Sequence, residues 1–271
     1  MSAVRKGPWN AVLKRTTRLS PSCSLLVFER PEGFPGAAPG HFVSIRVSDS
    51  TTPLLRRPYS IMDLTDSSLS LLVKAVGRGS AALRAARAGD RFDMIGPLGG
   101  VPFPAPAGPE AVLVAGGTGL APLLFAARAW RRARLAVRTT LIYGAATGNE
   151  LLRDLVKTAF GTCRFATIDG GAGFHGDVVA LCRDLASRGR MPAGTLYSCG
   201  PRGMVRALEE TAGSHFSAHY TSLEEIMACG VGACRGCTVP VRSGGERVLK
   251  AICSDGTVFS AGDILWEEWA E

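Results

Sequence analysis

Four thiols carry the most distinctive chemistry available to this chain. Cys229, Cys234, Cys237 and Cys253 fall in a 25-residue window that holds half of the eight cysteines. They read C-G-V-G-A-C-R-G-C, then fifteen residues, then the fourth thiol. The C-x4-C-x2-C…C spacing suits a plant-type 2Fe–2S cluster, in which each iron takes two thiolates. Gly230, Gly232 and Gly236 stand between the ligands. Lacking Cβ atoms, they can take left-handed conformations and let backbone N–H groups approach the sulfurs. Such bonds, with burial, tune the potential of a cluster. Two other readings exist. A structural zinc site usually spaces its thiolates as two close pairs, and only one close pair is present here. A disulfide asks for an oxidising compartment. Cys23, Cys163 and Cys182 are scattered and read as small buried hydrophobes.

Further groups suit phosphates and flat rings. Arg57-Pro58-Tyr59-Ser60 follows Arg56 on an expected strand. A guanidinium can clamp a phosphate bidentately, a tyrosine ring can stack on a heterocycle, and a serine hydroxyl can reach a ring nitrogen. Gly77-Arg78-Gly79-Ser80 opens a short expected helix, whose first N–H groups could hold a pyrophosphate. Gly116-Gly117-Thr118-Gly119-Leu120-Ala121-Pro122 follows a strand and opens a helix, the context a phosphate-cradling loop needs. It is not G-x-G-x-x-G and has no P-loop lysine, so glycines kept only for strand–helix packing remain an alternative. Cys199-Gly200-Pro201 ends another expected strand. There Cys199 is either beside a bound nicotinamide or a buried thiol before a turn.

The elements that must position these groups fall into three parts. Residues 1–105 are β-like, with apolar stretches at Ser24–Phe28, Phe42–Val47, Tyr59–Leu64, Leu69–Val76 and Phe92–Ile95, and one helix at Ser80–Ala88. Turn signals separate the stretches, a barrel or sandwich pattern. Val101–Pro109 carries four prolines in nine residues and reads as a stiff linker and domain boundary. From Ala111 the pattern alternates. Ala111–Ala115, Thr139–Tyr143, Arg164–Ile168 and Thr195–Cys199 read as strands. Leu120–Arg134, Asn149–Ala159, Asp177–Arg188 and Gly203–Ala212 read as helices. Alternation predicts a doubly wound parallel sheet over 110–220 that binds ligands at the carboxyl ends of its strands. Residues 221–271 form the cysteine module. The whole is a multidomain chain of α+β and α/β parts.

Composition bounds the function. The 271 residues suit two or three domains, and 46% hydrophobic content allows a sizeable core. The net charge is +8, but aromatics are only 7% and do not interleave with Lys or Arg, so nucleic acid is not an expected partner. Bound phosphates and an anionic cluster would offset part of the charge. The start is basic (Arg5, Lys6, Lys14, Arg15, Arg18), but no apolar h-region follows. That stretch reads as a first strand, with an organelle transit peptide as the alternative. The longest uncharged run, Ala111–Ala127, is broken by glycines and a proline and is not a membrane span. A cytoplasmic location is expected, in keeping with free thiolates.

The order R-P-Y-S, G-R-G-S, G-G-T-G-L-A-P, C-G-P resembles the ferredoxin–NADP reductase superfamily. The tail S-L-E-E-I-M-A-C-G-V-G-A-C-R-G-C, then L-K-A-I-C-S-D-G-T-V-F, is similar to the electron-transfer subunits of class 1B dihydroorotate dehydrogenases. This resemblance covers nearly the whole chain. It implies a six-stranded antiparallel FAD barrel, a nucleotide-binding α/β domain and a 2Fe–2S module. It implies FAD contacts from Arg57, Pro58, Tyr59 and Ser60, a next FAD strand at Leu72-Val73-Lys74, and Gly79 and Ser80 at the phosphate. The cluster ligands it implies are Cys229, Cys234, Cys237 and Cys253. Related small subunits of NADH-dependent ferredoxin–NADP oxidoreductases typically have aspartate at the first ligand, which Cys229 argues against. Gly40-His41-Phe42 and the G-G-T-G loop depart from the subunit family's usual G-Q-F and G-G-G-I-G. The implied partner is an FMN-containing catalytic subunit that oxidises dihydroorotate, in a heterotetramer of two of each chain. Electrons would pass through the cluster and FAD to NAD+, with no general acid or base on this chain. Alternatives are a reductase subunit of a sulfide dehydrogenase-like, oxygenase or hydrogenase complex, or a redox sensor or zinc-stabilised module without catalysis.

Overall fold

The computed structural model describes residues 6–48 and 51–269. Of the basic residues at the start, Arg5 lies outside the described residues, as do the first five positions of the expected barrel domain. Six strands close an antiparallel barrel: β1 (Trp9–Arg18), β2 (Cys23–Glu29), β3 (Phe42–Arg46), β4 (Arg57–Leu64), β5 (Ser68–Lys74) and β6 (Arg91–Leu98). Their order is β1-β2-β5-β4-β3-β6. Leu13, Leu26, Phe28, Val43, Ile61 and Leu71 alternate inward and fill the interior, so the barrel is a packed core rather than a pore. The Trp9–Arg18 stretch is a strand, as its apolar alternation predicts. The whole R-P-Y-S tetrapeptide lies in β4, which starts two residues before the expected Tyr59. α1 (Arg78–Ala85) covers one side of the barrel with Leu83 buried beneath it. It begins and ends earlier than the expected Ser80–Ala88, because Ala86 is already extended and Asp90 ties down the Arg87 N–H.

The proline-rich linker is anchored rather than free. Phe103 is buried, its N–H donates to Pro39 O at 2.8 Å, and Tyr197 Oη donates to Pro104 O at 3.1 Å. Beyond it run β7 (Glu110–Gly116), α2 (Leu120–Arg132), β8 (Arg138–Ala145), α3 (Arg153–Val156), β9 (Thr162–Thr167), β10 (Phe174–His175), α4 (Val178–Ser187), β11 (Thr195–Cys199), α5 (Arg202–Ala212) and β12 (Ala218–Ser222). The strands pair in parallel in the order β10-β9-β8-β7-β11-β12, the doubly wound arrangement. The expected helix Asn149–Ala159 shrinks to the single turn of α3. Glu150 is drawn to the barrel by Ser20 and Ser22, while Leu151 and Leu152 are buried, so the chain leaves helical geometry there.

The last part is a hairpin of β13 (Thr238–Ser243) and β14 (Glu246–Ala251), then the turn α6 (Ile252–Asp255) and β15 (Val258–Ser260). Gly244 and Gly245 take φ of 61° and 86°, as a tight two-residue hairpin turn requires. β15 pairs antiparallel with β12 and becomes the edge of the nucleotide-domain sheet. The cysteine module is thus built onto the α/β domain. The barrel and α/β domain also interlock. Phe125 of α2 is buried in the barrel core, and Asp63 of β4 meets Arg128 at 3.2 Å and Arg132 at 2.7 Å.

Candidate functional site: a thiol loop beside two joined clefts

The cysteine loop is wound before any metal is considered. Gly230 and Gly232 take φ of 70° and 86°, the left-handed conformations expected of them. The third left-handed residue is Arg235 (φ 55°) and not Gly236, and its guanidinium donates to Leu249 O at 2.9 Å. Backbone N–H groups point at the sulfurs. Val231 and Cys234 donate to Cys229 Sγ at 3.5 and 3.4 Å, Gly232 to Cys253 Sγ at 3.1 Å, and Gly236 to Cys234 Sγ at 3.5 Å. The N–H groups of Cys234 and Val231 pull the Cys229 thiol down to about 6. Burial, with Cys237 adjacent, pushes Cys253 up to about 12. Cys234 acts on Cys229, and both Cys237 and Cys229 act on Cys253, so the four thiols are mutually close. Two irons, each needing two thiolates, fit that donor set. Among the described residues, no three His, Cys, Asp or Glu side chains are grouped as ligands of a single ion. Cys237 and Cys253 are buried, whereas Cys234 is exposed.

The loop is seated on the barrel. A Cβ on Gly230 would lie 3.8 Å from Ser44 Oγ. Gly99 N–H donates to Cys253 O at 3.1 Å, and a Cβ on Gly100 would meet Ser254 O at 2.5 Å. Thr257 Oγ1 hydrogen-bonds Gly40 O. Met227 and Thr257, close in sequence to Cys229 and Cys253, also line a cleft of about 310 Å³. Its other walls include Pro58, Tyr59, Ser60 and Leu72 from the barrel. Pro58, Tyr59, Ser60, Leu72 and Lys74, five of the nine residues expected at a flavin, therefore share one cavity, and the segments that lead into and out of the cysteine module line it too.

Around that cavity the expected phosphate contacts divide. Arg57 lies against α1, since a Cβ on Gly79 would be 2.9 Å from Arg57 Nε. The absent side chain of Gly79 lets the Arg57 side chain pack against the start of the helix. The Ser80 hydroxyl is turned inward: it accepts from Val76 and Gly77 N–H at 2.9 and 3.1 Å and donates to Gly77 O at 3.0 Å. What Ser80 offers a ligand is its backbone N–H. Val73 is fully buried in the barrel core, so its side chain does not face the cleft.

A second cleft of about 360 Å³ opens at the carboxyl ends of β7, β8 and β9. Gly116, Gly117, Thr118 and Pro201 line it. The glycines have separate duties. Gly117 has φ of 55° and open space where a Cβ would be. Gly119 backs onto β11, where a Cβ would be 2.2 Å from Cys199 O, so it serves packing. Gly116 and Gly200 meet face to face and are closed over by Met204. Strand–helix packing therefore accounts for Gly119, whereas Gly117 faces open space. Cys199 is fully buried behind the loop.

Lys74, Thr118 and Glu224 line both clefts and mark where they join. Glu224 went unnoticed in the sequence, where it is one acid in S-L-E-E-I. Its side chain opens on the cleft, yet the walls enclose it enough that loss of water raises its pKa above the ordinary glutamate value. Cys199 Sγ lies 4.0 Å from Glu224 Oε1, and burial, then this carboxylate, pushes the thiol well above its usual range. The junction thus holds a neutral thiol and a carboxyl that keeps its proton to higher pH than usual.

Known proteins carry the same parts. Residues 10–103 match an oxidoreductase FAD-binding domain, and residues 224–265 match the iron–sulfur cluster binding domain of dihydroorotate dehydrogenase B. The chain is 40% identical over 233 residues to the dihydroorotate dehydrogenase B (NAD(+)) electron transfer subunit of Geobacillus thermodenitrificans, covering 84% of this chain and 86% of that one. It is 35% identical over 254 residues to the subunit of that name from Desulforamulus reducens, covering 92% and 95%. Among solved structures, one of an NADH-dependent reduced ferredoxin–NADP oxidoreductase superposes with a TM-score of 0.81 at 26% identity, over 99% of this chain and 92% of that one. The ferredoxin reductase of carbazole 1,9a-dioxygenase shares the fold, with a TM-score of 0.64 at 22% identity over 80% and 70% of the two chains.

Proposed function

This chain belongs to the family of dihydroorotate dehydrogenase B (NAD(+)) electron transfer subunits, and from that premise we propose how its residues divide the work. It is a flavin and iron–sulfur oxidoreductase subunit of pyrimidine biosynthesis, with FAD and a 2Fe–2S cluster as carriers and NAD+ as acceptor. Cys229, Cys234, Cys237 and Cys253 hold the cluster. Arg57, with the N–H groups of Gly79 and Ser80, holds FAD phosphate. Pro58, Tyr59, Ser60, Leu72 and Lys74 position the ring in the 310 Å³ cleft. Gly116, Gly117, Thr118 and Pro201 receive the nicotinamide nucleotide, with Cys199 behind them. FAD held there would supply the link between one-electron and two-electron carriers, two electrons and a proton making the hydride that a cluster alone cannot deliver to a nicotinamide.

The observation that carries this reading is the shared wall: Met227, which leads into the thiol loop, and Thr257, which follows the turn holding Cys253, line the flavin cleft. The outer face of the loop points to the partner. Cys234 is exposed there, and Ile226 and Val231 flank it at 86% and 44% exposure. An FMN-containing catalytic subunit covering this face would bring its electrons to the exposed Cys234 side of the loop, in a heterotetramer of two of each chain. No described helix is long and apolar enough to cross a membrane. The partner supplies the acid–base chemistry of dihydroorotate oxidation. Burial keeps the Cys199 thiol neutral behind the two clefts.

Co-production with an FMN dihydroorotate dehydrogenase subunit tests the reading. The complex is expected to form NADH from NAD+ when dihydroorotate is added, and neither subunit alone to do so. A complex that assembles with both flavins and the cluster but forms no NADH would overturn it.

A further inference from the structure

Residues 264–269 form a strap between the cysteine module and the nucleotide cleft. On one side it joins the hairpin. Ile264 bridges Val241 of β13, Leu265 N–H donates to Pro240 O at 3.0 Å, and Glu268 pairs with Arg247 of β14. On the other side it joins α5. Glu267 pairs with Arg206, and Trp269 O accepts from Arg202 Nη2 at 2.6 Å. The two adjacent acids of W-E-E-W thus reach in opposite directions, one to the helix and one to the hairpin. The strap is also turned back on itself. Glu268 N–H donates to Leu265 O at 3.0 Å, and Trp266 Nε1 donates to Ala261 O at 3.2 Å.

The two sides meet at Trp269. It is buried, at 7% exposure, in the apolar cluster that also holds Cys237 and Cys253. The Arg202 guanidinium lies 4.4 Å from the centre of its ring. Tryptophan offers the best face for such a cation, and exclusion of water strengthens the attraction. Arg202 follows directly on Cys199-Gly200-Pro201 and is the first residue of α5. Pro201 caps that helix without a side-chain hydrogen bond, so the clasp on Arg202 supplies a side-chain anchor that the cap does not. Pro201 and Met204, on either side of Arg202, line the nucleotide cleft, and Met204 closes over the Gly116–Gly200 contact. Arg202 and Trp269 line neither cleft. They act on the cleft wall from behind.

We infer that Trp269 is a positioning residue for the nicotinamide nucleotide: by clasping Arg202 it holds the first turn of α5 in place as a cleft wall, and it fixes that wall to the core that carries two of the cluster thiols. This rests on the reading of the cleft as the nicotinamide nucleotide site. Only the clasped helix start presents Pro201 and Met204 to the nucleotide. The apparent Kd therefore rises as the clasped fraction falls, while the rate at saturation stays the same.

The test uses the full chain loaded with FAD and cluster, under anaerobic conditions. Flavin bleaching is followed by stopped flow over a range of NADH concentrations, which separates half-saturation from limiting rate. Trp269→Ala is expected to raise the half-saturating NADH concentration about tenfold at an unchanged limiting rate, the size of one largely desolvated cation–π contact. Arg202→Met keeps the apolar stem, removes the guanidinium and is expected to do the same. The double variant is expected to be no worse than either single one, because both break one clasp. Trp269→Phe keeps a ring face for Arg202 and is expected to retain wild-type half-saturation. Unchanged half-saturation in Arg202→Met, or effects that add in the double variant, would overturn the inference and leave the cleft assignment standing. Arg202→Met decides alone should Trp269→Ala lose its cluster. Failure of NADH to bleach wild-type flavin would instead remove the cleft assignment, and this inference with it.

Discussion

In the cysteine loop, three thiols come from nine consecutive residues, Cys229 to Cys237, and the fourth is held by the adjoining hairpin and turn. In the nucleotide cleft, the walls come from β2, β5, β7, β8, α5 and the segment after β12. The loop orients its groups with its own N–H donors and left-handed residues. The cleft orients its groups by packing one domain against another. The two regions should therefore fail differently. A change in the loop removes one ligand and leaves the rest folded. A change in the cleft shifts elements far apart in sequence.

The contrast can be broken at several points. Gly119→Ala should have the largest effect, because its Cβ would be 2.2 Å from the Cys199 carbonyl and the backbone must move. We expect about 3 kcal/mol of destabilisation and loss of NADH-driven flavin bleaching, measured by denaturant unfolding and stopped flow. Wild-type stability in that variant would mean that the cleft does not depend on close packing. Arg57→Ala comes next. Removing one charge-assisted phosphate contact should weaken FAD about 30-fold, read by flavin fluorescence titration, while cluster absorption is retained. Full flavin occupancy after gel filtration would contradict the assigned clamp.

The smallest effect concerns the contact between domains. Glu150 accepts from Ser20 Oγ and Ser22 Oγ, both at 2.6 Å, and from Ser22 N–H at 3.1 Å. Partial burial raises its pKa, but these bonds and the Lys74 charge outweigh it, and the net shift is downward. A carboxylate with a depressed folded pKa contributes stability above its unfolded pKa and loses it as the pH falls through the folded value. Glu150→Gln should therefore cost about 1 kcal/mol at neutral pH, and the difference from wild type should close in acid. Thermal melts at pH 7 and pH 3 check this, and a gap that widens in acid would reverse the assigned sign.

Legibility in the sequence follows the same contrast. The cysteine loop, the barrel strands and the strand-to-helix turn at the glycines are local patterns, and each forms close to where its residues predict. Three features are not local. The helix expected at Asn149–Ala159 is cut short by Glu150 reaching serines about 130 positions away. β12 is half polar, A-H-Y-T-S, and gives no strand signal. It is a strand because β11 and β15 flank it, and because His219 is held between Ser198 Oγ at 2.7 Å and Glu209 Oε2 at 2.6 Å. Glu224 looks like an ordinary surface acid until the fold brings it to the junction of the two clefts.

The central claim is that electrons cross the thiol loop before they reach the flavin and nucleotide clefts. Cys234→Ser in the reconstituted complex tests it most directly, with two readouts from one preparation. Dihydroorotate-dependent NADH formation should be abolished. NADH-driven bleaching of the FAD in the same variant should survive, since the flavin and nucleotide residues are untouched. Retention of both activities would place the cluster off the path and contradict the account.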